Sequence, residues 1–158
     1  MQVYFLRHGI AAERDTWKGS DEERPLTEEG RERLRAQGKR LAKIGLRVDS
    51  IVTSPLLRAR ETAEIAADAL EFDGKIVNDV RLGESFGIDA FAEIVRERTH
   101  FGSLMLVGHE PSMSRVLGAI TGGRIELKKG ALACVQLEQG DVRGELIMLV
   151  PPRILAPK

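Results

Sequence analysis

A short apolar run near the start of the chain is ended abruptly by a cation, an imidazole and a glycine. Val3-Tyr4-Phe5-Leu6 is followed at once by Arg7-His8-Gly9. Continuous apolar runs of this length are typical of strands that are buried on both faces of a mainly parallel sheet. Because such a strand delivers the residues that follow it to the carboxyl edge of the sheet, we predict a strand over residues 3–6 and a chemical role for His8.

The rest of the chain alternates between apolar runs and helical repeats. The runs predict further strands near residues 48–53, 75–79, 103–107, 131–137 and 145–150. Apolar positions at helical spacing predict helices over residues 28–44, 55–70, 89–98 and 113–120. This alternation indicates an α/β protein, a three-layer α/β/α sandwich with a mainly parallel sheet and an antiparallel element near the C-terminus. We expect residues 1–158 to form a single domain.

Polar and small residues mark the ends of these helices. Thr27 is predicted to be the N-cap of the first helix, and Asp89 is predicted to be the N-cap of the third. Ser54-Pro55 has the pattern of an N-cap followed by an N1 proline, which predicts the start of the second helix. Gly122-Gly123 predicts the end of the fourth helix. Residues 10–25 have no sustained period, so we expect a loop over the end of the first strand, and we expect a loosely held, proline-bearing tail after the last strand.

Charge and cysteine content exclude several classes of partner. Lys plus Arg and Asp plus Glu number 24 each, so no overall charge attracts nucleic acid or an anionic membrane. The single cysteine, Cys134, lies in an apolar run and is expected to be a core thiol, which favours a reducing, cytoplasmic setting. No apolar segment approaches the ~20 residues of a membrane span. The glycines fit neither a dinucleotide fingerprint nor a P-loop, and we expect no signal peptide and no nucleotide cofactor.

Three predicted strand ends carry unusual residues. They are Arg7-His8-Gly9, Ser54-Pro55-Leu56-Leu57-Arg58 and Gly108-His109-Glu110-Pro111. The carboxyl ends of parallel strands share one edge of a sheet, so we expect these segments to converge. Together they offer two arginines, two histidines and two helix N-termini, a set that suits a dianionic phosphoryl group and needs no metal ion.

Arg58 is the most informative of these side chains. It lies in the first turn of its predicted helix, where a cation opposes the helix dipole by about 0.3–1 kcal/mol unless an anion lies nearby. Each of the other side chains has a simpler explanation when it is taken alone. Arg7 could form an interior salt bridge, and His109 could be satisfied by backbone groups. His100 has no comparable neighbours and is expected at the surface.

A metal site is the competing interpretation of the same residues. His8, His109 and a carboxylate would be suitable ligands, since imidazole commonly binds transition metals. Arg7 and Arg58 argue against it, because two guanidinium groups raise the cost of placing a divalent cation between them. We therefore expect no metal in this site.

Four blocks of sequence occur in order along the chain. They are Leu6-Arg7-His8-Gly9, Arg24-Pro25-Leu26-Thr27-Glu28-Glu29-Gly30, residues 54–63, and Val107-Gly108-His109-Glu110-Pro111. In these blocks the chain resembles the histidine phosphatase superfamily, and its short length and Arg-Pro-Leu-Thr block look most like the SixA-type phosphohistidine phosphatases. The resemblance implies a phosphoglycerate-mutase-like fold with no cofactor and with His8 as the nucleophile. It also implies a substrate-binding pocket formed by Arg7, Gly9, Arg58 and His109.

The implied reaction proceeds through a phosphohistidine on His8 that water then hydrolyses. A phosphate ester needs a proton on its leaving oxygen, and the candidate general acids are Glu84, in the loop before the third predicted helix, and Asp89. Both could equally be capping or solvated residues. An imidazole that leaves a phosphohistidine needs less help, so a missing general acid would favour that substrate.

Three functions follow from these residues and the resemblance. The first is a phosphatase that removes phosphate from phosphohistidine on signalling or phosphocarrier proteins, because little spare sequence between residues 9 and 25 or between 70 and 103 remains to cover the pocket. The second is a phosphomonoesterase that acts on small phosphorylated metabolites. The third is a non-catalytic phosphoprotein-binding module, which the presence of His8 disfavours.

Overall fold

The computed structural model describes residues 1–155 and contains one mixed six-stranded sheet. All predicted strands are present, with bounds that differ from the prediction by one or two residues. The strands are β1 (Gln2–Arg7), β2 (Ser50–Thr53), β3 (Ile76–Asn78), β4 (Ser103–Gly108), β5 (Leu132–Leu137) and β6 (Gly144–Val150). Their order across the sheet is β3-β2-β4-β1-β5-β6. β1, which ends at Arg7, therefore lies in the interior of the sheet.

β1 has a neighbour of each orientation. It pairs in parallel with β4, where Arg7 lies opposite Gly108, and antiparallel with β5. β2 pairs in parallel with both β4 and β3, and β6 pairs antiparallel with β5. The expected mainly parallel sheet with an antiparallel C-terminal element is confirmed. Because β1, β2 and β4 run in the same direction, their carboxyl ends lie at one edge of the sheet, as the sequence analysis requires.

Helices cover both faces of the sheet. The α-helices are α1 (Glu28–Lys43), α2 (Leu57–Ala69), α3 (Ile88–Arg96), α4 (Ser112–Thr121) and α5 (Pro152–Leu155), and the short 3₁₀ helices are Asp21–Glu23 and Val80–Leu82. α1 and α2 pack on one face, and α3 and α4 pack on the other, which confirms the three-layer sandwich. Among the described residues, no helix is both long and apolar enough to cross a membrane.

The side chains of β1 alternate between two hydrophobic cores. Phe5 faces α3 and α4, and its ring stacks on that of Phe91 with a centroid separation of 5.6 Å. Tyr4 and Leu6 face α1 and α2. Burial on both faces explains the continuous apolar run, and it fixes the strand that ends at Arg7.

Two predicted helix starts are wrong. Ser54 does not cap α2, whose N-cap is Leu56. The N–H of Ser54 continues the hydrogen bonding of the sheet, and its hydroxyl lies 2.7 Å from His109 Nε2, so a tertiary contact replaces the local cap. Asp89 does not cap α3, whose N-cap is Gly87. The helix begins earlier than predicted, and Asp89 lies in its first turn, where an acid is favourable to the helix dipole.

Other predicted ends are confirmed, with one exception. Thr27 Oγ1 accepts a hydrogen bond from a backbone N–H in the first turn of α1, and Gly122, with a left-handed φ of 74°, ends α4. The tail after β6 is not loose as far as it is described, because α5 packs against α1 and Arg40 Nη1 donates to the carbonyl of Ile154 at 2.8 Å. Residues 156–158, the rest of the predicted tail, lie outside the described residues.

Residues 10–25 form an irregular loop, as predicted, and this loop is anchored to the body of the protein. Ala11 pairs with Leu26 in an isolated β-bridge. The 3₁₀ helix Asp21–Glu23 within the loop contacts α2, where Asp21 accepts hydrogen bonds from Arg58. The loop therefore reaches the edge of the sheet at which the strand ends converge.

The close packing of α1 on α2 depends on the absence of a side chain at Gly38. A Cβ on Gly38 would clash with the Cβ of Ala69. Replacing a helical glycine by alanine ordinarily stabilises a helix by up to about 1 kcal/mol. We instead expect Gly38→Ala to lower the free energy of unfolding by about 1–3 kcal/mol, because it overpacks the interface. Denaturant titration measures the difference.

Ala69→Gly supplies the matched control. Combined with Gly38→Ala, it removes the Cβ that causes the clash. The double variant should therefore lose less free energy of unfolding than the sum of the losses in the two single variants. A Gly38→Ala protein as stable as the wild type would contradict the close packing of these two helices.

Candidate active site

His8 follows β1 directly and is almost completely buried, with 6% of its surface exposed. Its Nδ1 lies 2.8 Å from the carbonyl oxygen of Gly9. Because a carbonyl can only accept, Nδ1 carries the proton and Nε2 keeps its lone pair. The backbone N–H of His8 donates to the carbonyl of Gly108 at the end of β4. His8 is thus fixed with a nitrogen that can act as a nucleophile.

Thr62, in α2, holds the turn after His8. The N–H of Gly9 donates to Thr62 Oγ1 at 3.1 Å, and the Thr62 hydroxyl donates to the carbonyl of Arg58 at 2.7 Å. A side chain at Gly9 would collide with Leu34. Gly9 is expected beside the substrate, but its N–H is already bonded within the protein, so this donor is not available to a ligand.

Arg7, the last residue of β1, is fixed at one end of its guanidinium group. Nη1 donates to the carbonyl of Leu127 at 2.8 Å. Nε is buried and has no hydrogen-bond partner among the described residues. Burial lowers the pKa of Arg7, and the carboxylates of Glu110 and Glu126 oppose this shift.

Arg58 lies in the first turn of α2 and is buried, with 4% of its surface exposed. Nη1 donates to the main-chain carbonyl of Asp21 at 2.8 Å, and Nη2 donates to the Asp21 carboxylate at 3.1 Å. The anion that a cation at a helix N-terminus requires is therefore supplied, at least in part, by this chain. The Nε of Arg58 is buried and has no partner within residues 1–155.

Asp21 joins Arg58 to a further arginine. Its Oδ1 accepts from Nε of Arg24 at 2.9 Å, and Arg24 Nη1 donates to the carbonyl of Ala12 at 2.8 Å. Arg14 approaches the same carboxylate oxygen at 3.7 Å from an exposed position. Burial tends to raise the pKa of Asp21, but the hydrogen bond from Arg24 and the charge of Arg58 lower it overall. Asp21 is therefore ionised at neutral pH.

His109 follows β4 and faces His8, with ring centroids 5.2 Å apart and ring planes inclined at 51°. Its Nε2 lies 2.7 Å from Ser54 Oγ, and this hydroxyl also accepts from the N–H of Leu56 at 3.4 Å. A hydroxyl that accepts from Leu56 can donate its own proton to Nε2, and the proton of the neutral imidazole then lies on Nδ1. Nδ1 is buried and has no partner in the described part of the chain.

Buried nitrogens without a partner therefore occur on the side chains that flank His8. Within residues 1–155 they are Arg7 Nε, Arg58 Nε and His109 Nδ1. Most buried polar groups in proteins are paired, and leaving one unpaired costs about 1–3 kcal/mol. All of these nitrogens can donate, and their side chains come from the same edge of the sheet. A tetrahedral oxyanion has several acceptor oxygens, so it is the kind of ligand that such donors bind.

Burial keeps both histidines uncharged. It lowers the pKa of His8 to about 3, and the positive charges of Arg58 and Arg7 act in the same direction. Burial, aided by the charge of Arg58, lowers the pKa of His109 to about 4. At neutral pH His8 therefore presents a neutral imidazole.

A sequence profile described as "Histidine phosphatase superfamily (branch 1)" matches residues 3–100, which is more than half of the chain. The chain belongs to the histidine phosphatase superfamily. It is also similar over its length to an uncharacterized protein of Picosynechococcus sp., with 38% identity across 170 aligned positions that cover 99% of this chain and 100% of that protein.

Solved structures of several phosphatases share the fold of this chain. The protein histidine phosphatase SixA, complexed with tungstate, has a TM-score of 0.89 and 24% identity over 98% of this chain and 99% of that chain. The alpha-ribazole phosphatase from Shigella flexneri has a TM-score of 0.78 and 15% identity over 96% of this chain and 97% of that chain. At these identities the likeness shows the fold, and it confirms the phosphoglycerate-mutase-like α/β architecture.

The two candidate general acids lie at the surface of the protein. Glu84 lies in the loop before α3, Asp89 lies in the first turn of α3, and both are exposed. The hydrogen bonds made by the side chains of Arg7, Arg58 and His109 go to other residues. A role for Glu84 or Asp89 as a proton donor stays a prediction.

Several residues that shape the site are not predicted from the sequence. Thr62 is predicted only as part of the helix over residues 55–70, and Ser54 is predicted only as a helix cap. Nothing local in the sequence shows their contacts with Gly9 and His109. Arg24 carries a signal, since it opens the Arg-Pro-Leu-Thr block. Asp21 carries none. Its loop has no period, and its partner Arg58 is distant in sequence.

The described residues contain no cluster suited to a metal ion. Among residues 1–155, no three His, Cys, Asp or Glu side chains lie close enough together to hold one. Cys134 is buried in the core, as predicted, and burial raises the pKa of its thiol to about 11. His100 is exposed, also as predicted.

The two buried histidines should make the stability of the protein depend on pH. Their folded-state pKa values of about 3 and about 4 lie below the ordinary value of 6.5, so on acidification the unfolded chain binds protons before the folded chain does. Stability is therefore complete above the ordinary pKa and is lost as pH falls from there toward the folded-state values. From about pH 7.5 to about pH 5, we expect each histidine to remove about 2 kcal/mol from the free energy of unfolding.

Glutamine variants test this expectation. Replacing His8 and His109 together by Gln removes both titrating rings, so the double variant should lose about 4 kcal/mol less than the wild type over the same interval. His100→Gln, at an exposed histidine, should keep the wild-type pH dependence. The same pH dependence in the double variant and the wild type would mean that burial does not hold these rings neutral. Denaturant titrations at both pH values measure the differences.

Proposed function

We propose that this histidine phosphatase hydrolyses phosphohistidine on other proteins through a covalent phosphohistidine intermediate on His8. The main support is a set of buried donors on Arg7, Arg58 and His109 that have no partner within residues 1–155, beside an imidazole whose Nε2 is unprotonated. The donors suit an oxyanion, and His8 Nε2 has the free lone pair that a nucleophile needs. Phosphoryl transfer in two steps requires both.

The proposed reaction begins with attack of the His8 Nε2 lone pair on phosphorus, in line with the leaving group. The N–P bond forms as the bond to the leaving group breaks, and the leaving group takes a proton from water or a nearby acid. Water then attacks phosphorus, the N–P bond breaks, and its electron pair returns to Nε2. Orthophosphate is released, and the proton lost by the attacking water passes to solvent.

Arg7 and Arg58 act on both partners of this reaction. Their positive charges help to keep the His8 imidazole neutral, with Nε2 unprotonated. Their Nε donors stabilise the charge that spreads over the equatorial oxygens in the transition state. Nδ1 of His109 adds a further donor that brings no net charge. In other enzymes, loss of one such preorganised donor raises the barrier by about 2.7–4 kcal/mol.

Asp21 and the two predicted general acids, Glu84 and Asp89, support a leaving group that needs little acid catalysis. Asp21 contacts the arginines, and its ion pairs lower its pKa, which makes it a poor proton donor at neutral pH. Glu84 and Asp89 are exposed. An imidazole leaves a phosphohistidine more readily than an alkoxide leaves an ester, so a phosphohistidine is the better-matched substrate. The fold shared with the protein histidine phosphatase SixA agrees with this choice.

Hydrolysis of a small phosphate monoester is the second candidate. It is favoured by the alpha-ribazole phosphatase, which shares the fold over 96% of this chain. In that case Glu84 or Asp89 would protonate the leaving oxygen. A non-catalytic role in binding phosphoproteins has less support, because such a module would gain nothing from a nucleophilic nitrogen on His8.

Trapping of the intermediate tests the proposed nucleophile. After brief exposure to radiolabelled acetyl phosphate and rapid denaturation, we expect label on His8 that is labile to acid and stable to base. His8→Asn should carry no label and should lower kcat by at least about 10³-fold, because the covalent route is lost. His100→Asn, the exposed matched control, should behave as the wild type. Unlabelled wild type together with a fully active His8→Asn would rule out the covalent mechanism.

Substrate preference tests the proposed leaving group. We expect kcat/KM for a phosphorylated histidine-containing protein domain to exceed that for small sugar phosphates by at least about 10²-fold, as a leaving group independent of acid catalysis predicts. Glu84→Gln and Asp89→Asn should change the rate on the protein substrate by less than about twofold. Preference for small esters, with loss of ester turnover in either variant, would favour the second candidate instead.

A further inference from the structure

Asp21 is the one carboxylate in direct contact with the buried Arg58 among the described residues, and the proposed reaction gives it no part. Both its main-chain carbonyl and its Oδ2 accept from Arg58, and its Oδ1 accepts from Arg24. A single residue thus binds one guanidinium group through main chain and side chain and links it to another. This contact is built by the loop that precedes α1, which is otherwise irregular.

The donors of Arg58 divide into two groups. A guanidinium group is planar and carries five N–H donors in a fixed fork. Asp21 accepts from both terminal nitrogens, at 2.8 Å and 3.1 Å. Nε is buried and has no partner in the part of the chain that the structure describes. Two bonds to one residue fix the rotation of the guanidinium plane, and they leave the Nε side of the fork for another acceptor.

We propose that Asp21 is a positioning residue of the phosphatase site, which holds the guanidinium group of Arg58 so that Nε faces the transferred phosphoryl group. This inference rests on the proposed function and deepens it. Asp21 does not touch the reacting atoms. It acts through Arg58, and the three-residue 3₁₀ helix Asp21–Glu23 is the element that carries it to the strand ends.

The negative charge of Asp21 works against this positioning role, because it repels a phosphoryl anion. The side chain of Asp21 is 38% exposed, so water screens this repulsion, and its ion pairs with Arg24 and Arg58 reduce it further. The Arg58 side chain is only 5% exposed. Removal of its partner would leave a buried cation without its acceptors, which is the more costly change. The hold on Arg58 therefore outweighs the repulsion.

A double-mutant cycle with tungstate as the probe tests the inference, since tungstate binding needs no turnover. Tungstate affinity, kcat and KM are measured for the wild type, Asp21→Ala, Arg58→Ala and the double variant. We expect Asp21→Ala to weaken tungstate binding about tenfold and to lower kcat more than it raises KM. In the Arg58→Ala background the same replacement should change tungstate affinity by less than about twofold.

Two conservative variants serve as controls. Asp21→Asn keeps the shape and one side-chain acceptor, so it should retain the fold and show a smaller loss of tungstate affinity than Asp21→Ala. Glu22→Gln removes the same charge from the same 3₁₀ helix at an exposed residue, and it should bind tungstate as the wild type does.

Two outcomes would overturn the inference. Tighter tungstate binding by Asp21→Ala or Asp21→Asn would mean that the carboxylate competes with the anion. An equal loss with and without Arg58 would mean that Asp21 acts through Arg24 or through overall charge. Failure of the proposed function is distinguishable, because a wild type that binds tungstate but forms no phosphohistidine still reports, through these affinities, on the contact between Asp21 and Arg58.

Discussion

The burial of an uncharged imidazole among cations is the constraint on which the site depends. His8 stays neutral because desolvation and the guanidinium charges of Arg7 and Arg58 all disfavour a second proton. The same burial makes the cations expensive unless their donors find acceptors. Asp21 accepts from both terminal nitrogens of Arg58, and the carbonyl of Leu127 accepts from Nη1 of Arg7. Within residues 1–155, the Nε of each arginine has no partner. An oxyanion bound against His8 would offer acceptor oxygens to the Nε donors of both arginines.

The fold supplies this arrangement through neighbouring parallel strands. β1 and β4 are paired, so the residues that follow them, His8 and His109, are neighbours, with ring centroids 5.2 Å apart. β2 lies on the other side of β4 and leads into α2, which carries Arg58. Thr62, one turn further along α2, bonds to the N–H of Gly9 and ties the helix to the turn after His8. The pairing of the strands and the hydrogen bond between Gly9 and Thr62 therefore set the position of Arg58 relative to His8.

The parts of this site that the sequence predicts are those with a local signal. The apolar run before Arg7-His8-Gly9 predicts β1 because a strand buried on both faces has no polar alternation. Arg58 is noticed because a cation in the first turn of a helix is locally unfavourable. The inference drawn from Arg58, that an anion lies nearby, is correct, but that anion includes Asp21 of the same chain.

The parts that the sequence does not predict depend on contacts between distant segments. Asp21 meets Arg58 only after the loop 10–25 folds over the strand ends, and no periodicity in that loop indicates where it will lie. Ser54 has the features of a helix cap, yet its hydroxyl contacts His109. Asp89 resembles a cap for the same local reason, although α3 begins after Gly87. For Ser54 and Asp21, hydrogen bonds between segments that are distant in sequence decide where the side chain lies.

The most direct test of the oxyanion site is a crystal structure of the protein with orthovanadate. Vanadium should lie in line with and bonded to Nε2 of His8, with its equatorial oxygens within hydrogen-bonding distance of Arg7 Nε, Arg58 Nε and His109 Nδ1. The bonds between Asp21 and Arg58 should persist in that complex. Vanadate bound away from His8, or bound there while these nitrogens remain unpaired, would contradict the assignment of the buried donors to a phosphoryl group.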